Sequence, residues 1–232
     1  MRKGDSKKQA ILDVARRLFY QKGYEQTSVQ DILSVLNCSK GSFYHHFESK
    51  LSVLETLCVE RAEKAFEGYE KAVNQRMDTL SRFNLLLYHA MPLKKSEQPF
   101  MLLMLPMAAT PEGISLGLNY ASALTGSFSG ALEKTLLEGA ADGTFFMPKV
   151  EGLAGIIMLL INHLWQEAAL VLRQCKIKNE AVDAGALLPI LEVTRYTIAR
   201  LVEAPHGSVE IIKLTEMLPV LESVLVRMRL EP

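Results

Sequence analysis

Lys40, Ser42, Tyr44, His45 and His46 fall within seven residues, and every one of them can donate a hydrogen bond. None is a carboxylate, so the set suits phosphate oxygens and base edges of a nucleic acid. Lys40 and Lys50 each fall in the first turn of a predicted helix, where a cation opposes the helix dipole by about 0.3–1 kcal/mol. An anion docked at the helix start would reverse that cost, and DNA phosphate is the expected anion. Singly, each lysine reads as an ordinary solvated residue; the set together does not.

These donors need a scaffold, and the flanking pattern supplies one. Val29, Ile32, Leu33 and Leu36 lie at i, i+3, i+4 and i+7, one apolar helical face. Thr27 with Gln30, or Ser28 with Asp31, can cap that helix. Asn37-Cys38 breaks the pattern and Ser39 can cap a second, very short helix. In it Phe43 and Phe47 are one turn apart and turn inward, leaving the donors outside. Two short helices joined by a tight turn read as helix-turn-helix.

Residues 9–57 closely resemble the DNA-binding domain of the TetR family of bacterial repressors. The matching residues are Ala15 and Phe19, Lys22-Gly23-Tyr24, Thr27, Ile32, Ser39-Lys40-Gly41, Tyr44, His46-Phe47 and Lys50, in order and without a gap. The resemblance covers roughly the first quarter of the chain. It implies that Tyr44, the His positions and Lys50 contact phosphate, while Ser39, Lys40 and Ser42 reach base edges. Thr27 is expected to cap the helix near a phosphate, and Gly41 belongs to the same site. Position 45 is commonly aromatic in the family, so His45 is a departure. The implied fold is all-α: a helix-turn-helix domain over residues 1–50, then a helical ligand-binding and dimerisation domain over 51–232.

The charge distribution agrees with such a division. The 232 residues carry no net charge, yet residues 1–50 hold nine Lys/Arg against five Asp/Glu, leaving the remainder net acidic. A basic head on an acidic body suits a head that binds DNA and a body that avoids it. Arg2, Lys3, Lys7 and Lys8 form a basic arm that could follow the backbone or a minor groove, although such arms are more often frayed. The charged start, MRKGDSKKQ, lacks the apolar run of a signal peptide, and a cytoplasmic location is expected. Cys38, Cys58 and Cys175 match neither a disulfide framework nor a zinc pattern, and free thiols are expected.

Periodicity predicts a first helix over 6–22 with Gly23 as its C-cap, and a long helix over 49–75. Leu51, Leu54, Cys58, Ala62, Ala65, Phe66 and Tyr69 form the inner stripe of that long helix; Glu55, Arg61, Lys64, Glu67 and Lys71 form its solvated face. The resemblance makes it the connection from head to body. Further helices are predicted over 80–90, 100–109, 113–132, 149–176, 187–202 and 209–229, with KKSEQP a loop. Residues 113–132 contain no charge, and a helix uncharged all round is expected to be buried. That run and GLAGIIMLLINHLW are too polar, too short or too interrupted for membrane spans.

The body is where an effector would bind. Met91, Met101, Met104 and Met107, with Phe100, Tyr120, Phe128 and Trp165, could line an adaptable apolar pocket, although most such residues are core packing. Asn162 and His163 interrupt an apolar face and could orient a ligand. In the family two long C-terminal helices make a two-fold dimer, and here 149–176 and 187–202 are the expected pair. A dimer would hold two reading helices roughly 34–36 Å apart on a near-palindromic operator. The sequence therefore points to a dimeric DNA-binding repressor released by a small, partly apolar molecule. The alternatives are a helical DNA-binding protein answering to a partner or a redox change, and an all-helical enzyme or carrier. No metal, cofactor or catalytic residue is expected: adjacent His45 and His46 diverge on a helix, and no H-x-x-x-H, G-x-S-x-G or P-loop pattern occurs.

Overall fold

The structure, a computed structural model, describes residues 3–108 and 110–230, and side chains over 6–108 and 110–229. Arg2 and the side chain of Lys3 from the basic arm lie outside the described residues, as does Ala109 at the end of the predicted 100–109 helix. The described chain contains ten α-helices and no strand. They are α1 Lys3–Lys22, α2 Val29–Leu36, α3 Lys40–Tyr44, α4 Lys50–Ala72 and α5 Thr79–Ala90, followed by α6 Gln98–Met104, α7 Pro111–Asp142, α8 Leu153–Lys178, α9 Ala184–Leu201 and α10 Leu214–Leu230.

Local chemistry sets these bounds. Gly23 ends α1 in the left-handed region (φ 82), where its missing Cβ removes the steric cost. Ser49 caps α4 in a reciprocal pair with Ser52, and Asp78 caps α5 through the Ser81 amide at 2.7 Å. KKSEQP is not an open loop. Lys95–Glu97 is a 3-10 turn that runs into α6, with Pro99 in the first turn of α6, where a missing N–H costs nothing. The segment 209–213 is not helical either: Val209 and Ile211 are buried ahead of α10, and the Asn84 side chain bonds Ser208 and Glu210 on either side of Val209.

α4 and α7 form the centre of the body, with α5 against both and α8 between α7 and α9. The inner stripe of α4 is buried at Leu54, Cys58, Ala62, Ala65 and Tyr69, as its spacing predicts. Its outer face is not wholly solvated, because Arg61 pairs with Glu97, which is only 3 % exposed. The uncharged run on α7 departs from expectation too. Leu116, Tyr120, Leu124 and Phe128 are buried, but Ile114 and Leu118 on the opposite face are more than half exposed. Serine and glycine fill much of that outer face, so an absence of charge does not mark burial. α8 is long and apolar enough by composition to cross a membrane, with mean hydropathy 1.5 over its best window. Its Ile157, Ile161, Leu164, Ala168 and Leu172 instead pack inward as bundle core.

Candidate nucleic-acid interface

Ile11, Leu12, Ala15 and Phe19 of α1, Ile32 and Leu33 of α2, and Phe43 and Phe47 are all buried, in a core that continues into α4 and the body. Of the two caps open to α2, the Ser28–Asp31 box forms: Ser28 Oγ accepts the Asp31 amide at 3.1 Å, and Asp31 accepts the Ser28 amide at 2.8 Å. These bonds from Ser28, with Lys22 at 3.1 Å, lower the Asp31 carboxyl to about 2. Asn37 then takes a left-handed conformation (φ 46), and the Cys38 amide reaches back to the Leu33 carbonyl at 3.2 Å. This closes α2 in one turn. Ser39 Oγ accepts the Ser42 amide at 3.3 Å and starts α3. The Phe43 and Phe47 rings, 5.9 Å apart, fix the inward side of the α3 segment.

That anchoring decides what faces outward. Ser39, Lys40, Gly41, Tyr44 and His45 are exposed, and Ser42 is half-buried. Tyr44 is 55 % exposed, and its ring stands edge-on to Phe43 at 5.3 Å, so a polar tip projects from a held base. These six residues make one continuous donor-rich surface without a carboxylate. α3 has five residues, so the dipole effect expected at Lys40 is small.

Three predicted site residues lie elsewhere. Thr27 is fully buried, and its hydroxyl donates to the Gly23 carbonyl at 2.7 Å; it ties off α1 instead of capping α2 or facing a phosphate. Lys50 does not project freely. Its ammonium donates to the Tyr24 carbonyl at 2.8 Å and sits 4.0 Å from the Tyr24 ring centre, and burial pushes its pKa down. The chain's own carbonyl and ring thus take the place expected for an anion at the start of α4. His46 is half-buried in the cleft between head and body, which Lys8, Glu48, Glu55 and Asn119 also line. Its ring lies 4.8 Å from that of His45, and no third ligand joins them: among the described residues no cluster of His, Cys, Asp and Glu could hold a metal.

One ion pair joins this head to the body, that of Arg16 of α1 with Glu60 of α4. Within the body Arg61, one residue on, pairs with Glu97 just ahead of α6. Neither pair was legible in the sequence, because a pair 44 or 36 residues apart leaves no periodic mark. Nearby, burial and the Arg61 charge push the Lys94 ammonium down to about 8.

The residues predicted for a body pocket separate into four groups. Phe100 and Tyr120 pack with tilted rings within the core at 4.8 Å, Phe128 packs edge-on to Phe66 at 5.2 Å, and Met91, Met101 and Met107 are buried too. His163 lies exposed on the outer face of α8, 3.9 Å from Glu167 and outside the groove between α7 and α8. Asn162 is 7 % exposed and its Nδ2 has no partner. Met104 and Trp165 line that groove, of about 280 Å³, between the first turns of α7 and the second half of α8. Phe100 also borders a separate cavity of about 190 Å³ beside Arg16, Glu60 and Arg61. Gly117, Gln166 and Arg173 also line the groove; Gly117 lies within the uncharged run, and nothing in the sequence marks Gln166 or Arg173.

Residues 11–57 match the family of bacterial regulatory proteins described as the tetR family. The HTH-type transcriptional regulator YerO of Bacillus subtilis (strain 168) is 43% identical over 54 residues, which are 23% of this chain and 19% of YerO. The HTH-type transcriptional repressor KstR2 of Rhodococcus jostii (strain RHA1) is 31% identical over 77 residues, 33% of this chain and 38% of KstR2. The chain thus spans well under half the length of these curated relatives. The crystal structure of a TetR-family regulator from Syntrophomonas wolfei aligns over 84% of this chain and 96% of its own, with TM-score 0.53 and 18% identity. The alignment extends the likeness of fold from the head to the helical body. Over its head the chain is thus similar to the tetR family of bacterial regulatory proteins, and over its body the likeness is one of fold.

Proposed function

We propose that this protein is a dimeric transcriptional repressor that holds a near-palindromic operator through α3 and leaves it when a small molecule binds the body. The observation that carries the reading is the surface made by Ser39, Lys40, Gly41, Ser42, Tyr44 and His45, held outward by Phe43 and Phe47 beneath it. Base edges are assigned to Ser39, Lys40 and Ser42, and phosphates to Tyr44 and His45 with His46 at the margin. The capped turn at Asn37 and the ties from Thr27 and Lys50 keep that surface in one geometry before DNA arrives. KstR2, one of the relatives matched over the head, is named a repressor, which favours repression over activation.

Dimerisation is assigned to the outward faces of α8 and α9. Leu159 and Ile177 on α8 and Val193 and Tyr196 on α9 are 59–72 % exposed, apolar surface that a lone chain leaves in water. The effector reaches the head through α4, which carries Glu60 and Arg61 toward α1 and α6. The cytoplasm is the compartment such a regulator works in, and its three free cysteines suit it.

Fluorescence anisotropy on the DNA flanking its own gene, against scrambled DNA over a salt series, tests the reading. Preference for the native fragment by about a thousandfold is expected. Equal, weak binding to both fragments by protein that mass spectrometry shows to be free of any bound small molecule would overturn it.

A further inference from the structure

We infer that the groove between α7 and α8 takes a small amphiphilic monoanion, an alkyl or aryl chain ended by one carboxylate. The inference deepens the effector reading above and rests on it. At about 280 Å³ the groove lies at the lower edge of the ~300–1,000 Å³ typical of small-molecule sites, so the occupant is short. Its walls are apolar: Ile114 and Leu118 from α7, Trp165 and Leu170 from α8, with Met104 beneath. These suit a hydrocarbon body, and the Trp165 ring offers a flat face for an aryl group.

The charge is set by Arg173, the one charged residue lining the groove. It forms no side-chain ion pair or hydrogen bond with any described residue. It shares the outward face of α8 with Leu159 and Ile177, so the groove opens at the edge of the proposed dimer interface. A guanidinium presents a fork of N–H donors that matches a carboxylate, and at the mouth of an apolar groove it repels a cation. A single guanidinium neutralises a single negative charge, so a monoanion fits better than a dianion.

The room for this ligand comes from Gly117. The neighbouring Gly113 is required by packing, because a Cβ there would come within 1.8 Å of the Met107 carbonyl oxygen. A Cβ at Gly117 would meet nothing within 4 Å. The space beside it is the groove itself, and a side chain at 117 would grow into it without disturbing the backbone.

Trp165 is the chain's one tryptophan, so intrinsic fluorescence reports occupancy of the groove directly. The full-length protein is titrated with octanoate and benzoate, and with 1-octanol and octylamine as neutral and cationic counterparts of equal length. The carboxylates should change Trp165 emission saturably, the alcohol should bind more weakly, and the amine should be weakest. Arg173→Gln should weaken octanoate by roughly ten- to a hundredfold, the span of a charge-assisted hydrogen bond, and leave octanol nearly unchanged. Gly117→Leu should abolish binding of all four compounds while the far-UV spectrum holds and the melting temperature does not fall. Octylamine binding as well as octanoate, or octanoate affinity unchanged in Arg173→Gln, would overturn the assignment. So would emission that shifts with protein concentration alone and is insensitive to the carboxylates, which would put a second copy of the chain in the groove. Operator anisotropy with and without octanoate separates this proposal from the reading it rests on. Operator binding that octanoate leaves unaltered, despite saturating Trp165, overturns the groove as effector site. No operator binding at all overturns the regulator, while the fluorescence still decides the chemistry of the groove.

Discussion

At the scale of single residues, the divide between contacting DNA and holding the contact surface runs between side chains that look alike in the sequence. Lys40 and Lys50 both open a helix, yet Lys40 is exposed and Lys50 is bound to the Tyr24 carbonyl and ring. Lys40→Ala and Tyr44→Ala are therefore expected to cost operator affinity about tenfold or more each, with thermal stability unchanged. Anisotropy and a melting curve on the same samples decide it; unchanged affinity in both variants would remove the assignment. Lys50→Met should do the reverse of Lys40→Ala in the absence of DNA. Losing a half-buried charged hydrogen bond and a cation–π contact costs about 1–2 kcal/mol of stability, visible as a lower urea midpoint. An unchanged midpoint would return Lys50 to the phosphate-contacting set. The residue types and spacing were enough to find the donor surface and its two aromatic anchors, because those obey a helical period. They could not separate Thr27 and Lys50 from it. The partners of these two, Gly23 and Tyr24, are backbone carbonyls, and every residue carries one.

At the scale of elements, α7 shows what composition hides. Gly113, Gly117, Gly126 and Gly130 look equivalent in the sequence, but a Cβ at Gly113 would strike the Met107 backbone, whereas at Gly126 and Gly130 it would meet open space. Gly126→Ala and Gly130→Ala should each stabilise the protein by about 0.5–1 kcal/mol through helix propensity and a less flexible unfolded chain. Gly113→Ala should destabilise it, since backbone and not a flexible tip has to move. Urea midpoints for the three variants test this together; a loss at position 126 or 130 would mean that a partner packs there. The α4–α5 crossing gives a pH prediction. His89 sits against Gly68, with its ring nitrogen 3.0 Å from where a Cβ would lie, and burial with the nearby Lys94 lowers its pKa to about 4. The unfolded chain takes up that proton near pH ~6.5 and the folded one resists until about 4. Stability should therefore fall as pH drops through that window and level off below it. His89→Gln should flatten the slope between pH 7 and 5, above the range where Asp31, Asp78 and Asp142 titrate. An identical slope in the variant would assign the effect to another group.

At the scale of the whole molecule, the operator reading stands or falls on assembly. Helix number and order were legible because apolar periodicity and Gly, Pro and Ser punctuation mark them locally. The outward faces were less so: a stripe such as Leu159 and Ile177 has the same period as a core stripe, and only the fold shows it lying in water. Left exposed, these residues and Val193 and Tyr196 of α9 would make the monomer sticky; paired across a two-fold axis, they would form a helical interface. The chain should sediment at twice its 25.9 kDa mass at micromolar concentration. Leu159→Asp with Val193→Asp should give monomers, since a carboxylate buried without a partner in an apolar interface is strongly unfavourable. Both positions are solvent-facing in the single chain, so its helical content and its head should be unaffected. Operator affinity, however, should drop by about a hundredfold or more, because a second half-site adds binding only when a second head is tethered at the right spacing. A monomeric variant that retained full operator affinity would show each head reading DNA alone and would refute the palindromic-operator model. A variant that stayed dimeric would move the interface off α8 and α9.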